Sequence, residues 1–113
     1  MSFASFPPAA AWQHRGARTG FEVVFFTGRS GGWRIQGWTT AVEDRTTWAV
    51  EYEIQLDTAW VTRSARIRGR TAAGSCSTTL EADGTGRWLV DGEKARHLDG
   101  CLDVDLESSA MTN

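Results

Sequence analysis

Three side chains near the C-terminal end of this 113-residue chain, Asp103, Asp105 and His97, are the ones whose types and spacing could support proton transfer or metal binding. Asp103 and Asp105 stand at i and i+2, so on a strand both carboxylates face one side, about 7 Å apart. Leu102, Val104 and Leu106 take the other side. Two such carboxylates could act as acid and base in glycoside cleavage or hold a divalent cation through oxygen ligands. His97, six residues before Asp103, could serve as a base oriented by a carboxylate. The same residues also describe a strand with a solvated acidic face, or carboxylates bonded to Arg63 or to turn amides. His97 and His14 then read as surface or turn histidines. No Ser or Cys stands in a nucleophile-elbow context, and Gly28, Gly31 and Gly32 lack the Lys-Ser or Lys-Thr pair of a phosphate loop. Cys76 and Cys101 have no second Cys or His at ligand spacing. No catalytic residue, metal or cofactor is assigned on these grounds.

Aromatic side chains offer a different chemistry. Six Trp, five Phe and one Tyr stand beside twelve Gly, two Pro and two Met. Trp48, Tyr52, Trp60 and Trp88 are the candidate binding surfaces, because ring faces cover acyl chains and sugar C–H faces while the N–H or O–H takes a hydrogen bond. Arg63, with Asp103 or Asp105, would meet a polar head group. The competing reading is that each ring fills the core.

The formal net charge of −2 argues against a general nucleic-acid binder, which carries a basic excess. No stretch approaches the ~20 apolar residues of a membrane span. The N-terminus has neither a basic start nor an unbroken apolar run, so it does not read as a signal peptide. A cytoplasmic address with reduced thiols is the default. Charge is uneven: residues 1–70 hold nine Arg against six acids, and residues 71–113 hold three basic residues against eight acids. Two complementary solvated faces explain this, as does a basic stripe of Arg63, Arg66, Arg68 and Arg70 for an anionic head group or partner.

The elements that must position these groups are strands. Residues 1–11, with Pro7-Pro8, read as a loose lead-in, and residues 12–113 as one domain. Phe21 to Phe26 is a β-rich run, Trp33 to Val42 its return, and Gly37 marks a bulge or close approach. In Thr47 to Asp57, Trp48, Val50, Tyr52, Ile54 and Leu56 alternate with polar or small residues, the pattern of a half-buried strand. Trp60 to Arg70 continues the alternation. Asp83-Gly84, Asp91-Gly92 and Asp99-Gly100 then recur every eight residues, and Asp-Gly suits tight hairpin turns. They divide the rest into strands over 75–82, 85–90, 93–98 and 101–106. The class is all-β, an antiparallel meander. It ends on an uncovered edge, which pairs with another chain or marks a fragment boundary.

Several of these segments resemble the putative glycolipid-binding family of bacterial proteins. They are Gly20-Phe21-Glu22, the run Gly32 to Gly37, Asp57 to Arg63, Asp83 to Trp88, and above all Leu98 to Leu106. Two departures fall at Ser109-Ala110, where the family has Thr-Pro, and after Thr112-Asn113, where its members continue. The resemblance implies a spiral β-roll, a sheet curled as in a half-barrel and similar in shape to bacterial lipoprotein localisation factors. It also implies that this chain is the N-terminal three-fifths, that the protein forms a homodimer, and that the missing part supplies a helix.

The expected function is therefore non-enzymatic binding of an amphiphile, a glycolipid or other lipid, on a concave aromatic-lined surface. Two alternatives stand beside it: a hydrolase or metal-dependent enzyme using Asp103, Asp105 and His97, and a structural or assembly module pairing through its open edge.

Overall fold

The structure, a computed structural model, describes residues 8–16, 18–106 and 111. Ser109-Ala110 and Thr112-Asn113 lie outside the described residues, as does most of the lead-in. Among the described residues eight strands follow one another: β1 (Ala9–His14), β2 (Arg18–Arg29), β3 (Gly32–Glu43), β4 (Thr46–Leu56), β5 (Thr62–Thr71), β6 (Gly74–Ala82), β7 (Trp88–Val90) and β8 (Glu93–Lys94). They form one antiparallel sheet in chain order, and β8 does not pair back to β1. The sheet is an open, curled meander.

Its register explains the alternation. Phe26, Ile35, Ile54, Ala65, Leu80 and Val90 stand opposite one another across six strands, so they share one face. One row over, Val24, Gly37, Tyr52, Ile67 and Thr78 share the same face, as do Trp12, Glu22, Thr39 and Val50 beyond them. Val24, Ile35, Tyr52, Ile54 and Ala65 form the buried core, with Trp12, Phe26 and Leu80 packed against it. This inner face removes apolar surface from water, at about 25 cal/mol per Å².

The turns show which Asp-Gly pairs make hairpins. Asp91 (φ 50°) and Gly92 (φ 85°) both take left-handed backbone between β7 and β8, as the tight two-residue turn requires. Asp44 and Arg45 do the same between β3 and β4 without a glycine. Asp99-Gly100 differs. Asp99 has φ −54° and ψ 132°, Gly100 has φ 91°, and the Cys101 N–H donates to the Leu98 carbonyl. That is a type II turn, whose geometry splays strands instead of pairing them.

Three expected strands change character. Residues 85–90 pair only over Trp88–Val90, because Asp83 to Arg87 form a longer loop than a two-residue turn. Residues 93–98 pair only over Glu93–Lys94 and then form a short 3₁₀ turn, Arg96–Leu98. Residues 101–106 are not a strand. A single bond, Thr62 N–H to the Leu102 carbonyl, ties their start to β5. Val104, Leu106 and Met111 then pack against the core cluster of the inner face. The alternating apolar residues there serve to lay a strap over the sheet, not to extend it.

Candidate functional site on the inner face

Glu22 is fully buried in the middle of the apolar face. It shares the inner face with Val24 and Phe26 because β2 alternates, so its carboxylate points where the core is. A buried carboxylate needs strong partners. The Tyr52 hydroxyl donates to Oε2, and the Met111 N–H lies 3.4 Å from the same oxygen. Tyr52 reaches Glu22 from β4 by crossing β3 at Gly37, where an added Cβ would run into the ring. Gly37 is thus a close approach. Thr39 is also fully buried, and its Oγ1 is 2.7 Å from Nε2 of His14.

Trp48 is a half-buried member of the same face. The Arg18 guanidinium sits over its ring at 5.5 Å, within cation–π range, and approaches Glu43 at 3.8 Å. The His14 ring lies 6.4 Å from that of Trp48. Beside this group opens a cleft of about 480 Å³, lined by Arg18, Glu43, Trp48, Val50, Ile67, Asp105 and Leu106. A larger hollow of about 820 Å³ at the strand ends shares Trp48 and adds Thr19, Ala41 and Thr71. An aromatic ring, aliphatic floor and charged rim can cover a hydrocarbon chain and hold a polar group at its end.

The structure thus gathers Trp48, Tyr52 and Asp105 on or beside one part of the inner face, and the register that places Val90 there puts Trp88 on the same face at its β7 end. Trp60 and Arg63 lie elsewhere. Trp60 occupies the β4–β5 turn at φ 65° and stacks on Trp33 at 5.2 Å. Asp57 organises that turn, accepting from the Ala59 and Val61 N–H groups. Arg63 approaches Asp57 at 3.8 Å and donates to the Ala82 carbonyl. Trp88 is buried, with its indole N–H donating to the Cys101 carbonyl at 2.8 Å. It borders a separate cleft of about 640 Å³ with Arg87, Lys94, Arg96, Asp83 and Asp99. There the hydroxyl and N–H of Thr85 hold the Asp83 carboxyl below the usual carboxylate range.

Asp103 is exposed, and His97 is exposed on the 3₁₀ turn. No hydrogen bond or ion pair joins His97, Asp103 and Asp105 among the described residues. Nor does any group of three potential metal ligands occur among them. Sequence reasoning misses Glu22, Arg18 and Thr39. The one available signal is parity, which places Glu22 on the face of Val24 and Phe26.

An open, curled antiparallel sheet with a lined inner face is the class these features define. Residues 9–113 match the family described as putative glycolipid-binding, and the chain belongs to that family. A solved structure of similar fold is the crystal structure of a DUF1089 family protein from Pseudomonas aeruginosa, 24% identical, with a TM-score of 0.65. The match covers 100% of this chain and 57% of that one. No curated protein matches the chain. No helix among the described residues is long and apolar enough to cross a membrane.

Proposed function

We propose that the chain binds an amphiphile, a glycolipid or other lipid, without chemical turnover. The observation that carries this reading is the placement of Trp48. It lies at the open end of an apolar face, with charged groups (Arg18, Glu43, Asp105) on one rim and Val50 and Ile67 as floor. The hydrocarbon chain would lie along the floor, each buried CH₂ contributing about 0.8 kcal/mol. A hydroxylated head group would meet Arg18 and Asp105. Tyr52 and Glu22, one row deeper, fix the floor's shape.

Of the remaining sequence candidates, Trp60, Arg63, Trp88 and Asp103 stay outside this reading, because Trp60 and Arg63 serve the β4–β5 turn, Trp88 borders the second cleft and Asp103 is exposed on the strap. The domain over residues 12–113, the homodimer and the cytoplasmic address belong to the same proposal. Light scattering and cell fractionation check the last two. The family description supports ligand binding in general terms, and the head-group class rests on the rim chemistry.

Native mass spectrometry of protein taken directly from cells, followed by organic extraction, tests the reading. A co-purifying amphiphile that is lost from Trp48→Ala supports it. Its retention by that variant, or a chain that carries no amphiphile from cells, contradicts it.

A further inference from the structure

The outer face of the sheet carries the apolar residues that the inner site does not use. Phe21, Val23 and Phe25 on β2 and Trp38 and Val42 on β3 are exposed, and alternation puts all five on the side opposite Glu22 and Thr39. They are contiguous: Val23 stands opposite Trp38, Thr19 opposite Val42, and Phe25 meets Trp38 edge-to-face at 6.0 Å. Ala11 of β1, opposite Val23, extends the patch by one strand. A continuous exposed apolar area of this kind marks a contact surface.

Charge on the same face indicates what it contacts. Two strands away, Arg66, Arg68 and Arg70 of β5 are exposed in a row on that side. Glu53 and Glu51 stand opposite Arg66 and Arg68, and Glu53 also lies 3.6 Å from Arg34. Arg70 stands opposite Ala49 and so has no acid across from it. On this face Glu51 and Glu53 of β4 stand between the aromatic patch and the arginines of β5, and Arg34, Arg66, Arg68 and Arg70 outnumber those two acids on a chain whose net charge is −2. An anionic lipid surface supplies the complement, with headgroup phosphates for the Arg row and an interfacial layer for Trp38 and Phe25.

We propose that this outer face docks onto an anionic membrane surface. Aromatic residues enter the headgroup region while Arg68 and Arg70 meet phosphates. The proposal goes beyond ligand binding on the inner face and does not depend on it.

Co-sedimentation of the full chain with phosphatidylcholine vesicles, with and without about 30% phosphatidylglycerol, tests it. The expected result is partition onto the anionic vesicles that falls as salt is raised to about 0.5 M, where the Debye length shrinks to a few ångströms. Phe25→Ser/Trp38→Ser lowers it by about tenfold and Arg68→Glu/Arg70→Glu by about fivefold or more. Both double variants keep the wild-type circular dichroism, and binding of dodecyl maltoside by Phe25→Ser/Trp38→Ser is unchanged. Equal partition by wild type and variants, or a folded wild type that ignores anionic vesicles, overturns the proposal. So does a dimer in light scattering that Phe25→Ser/Trp38→Ser converts to monomer, since the face would then join two copies.

Discussion

The Tyr52 hydroxyl donates to the carboxylate of Glu22 across an intervening strand, and the ring passes over Gly37 to get there. Both partners are buried, so the bond fixes β2, β3 and β4 at one place on the inner face. Removing the donor leaves a buried carboxylate with one fewer partner. Tyr52→Phe is expected to cost about 1–3 kcal/mol in urea unfolding. A double-mutant cycle with Glu22→Gln should show a coupling of about 0.5 kcal/mol or more. Strict additivity would mean the two groups act independently.

Gly37 has a steric role that follows from the same crossing. Gly37→Ala drives a methyl into the Tyr52 ring, and the expected loss is about 1–3 kcal/mol from overpacking. Combining it with Tyr52→Leu should cost less than the sum of the two single variants. If Gly37→Ala costs the same with and without Tyr52→Leu, the strain lies in the backbone instead.

Asp57 is expected to matter for stability and not for ligand binding. Its carboxylate accepts two backbone N–H groups in the turn that carries Trp60. Asp57→Ala should lose about 1–2 kcal/mol of stability. Titration with dodecyl maltoside should give an unchanged affinity in this variant.

The pH dependence of the second cleft has a defined sign. Bonding to Thr85 lowers the Asp83 pKa in the folded chain, so this group stabilises the fold above the ordinary carboxylate range. That contribution is lost as pH falls through the folded value. Thr85→Val should move the Asp83 titration upward when followed by carboxyl NMR. An unmoved titration would assign the shift to other groups.

Much of the fold is legible from residue alternation. Trp48 to Leu56 and Asp91-Gly92 each fit their observed strand and turn, because period two and left-handed backbone are local requirements. The segment from Cys101 to Leu106 is different. Its alternation is as regular as that of a strand, yet the type II turn at Asp99-Gly100 directs it over the inner face. Turn type depends on ψ of Asp99, which the Asp-Gly pair alone does not specify. The site is legible in part. Trp48 and Tyr52 declare themselves as large rings on an apolar face. Glu22 draws attention only once β2 is known to be covered on that side, and Arg18 only once the register brings it beside Trp48. Asp103 and His97 look like chemistry because they are close in sequence, but strap and 3₁₀ turn leave both exposed and without mutual contact.

The most direct test of the inner-face site is calorimetric titration with dodecyl maltoside below its micelle concentration, with maltose as the chain-free control. The wild-type chain should bind the detergent and not the sugar. Trp48→Ala should bind it about tenfold more weakly, a loss of about 1.4 kcal/mol. No heat of binding from a folded wild-type chain, or equal affinity in Trp48→Ala, would contradict the account.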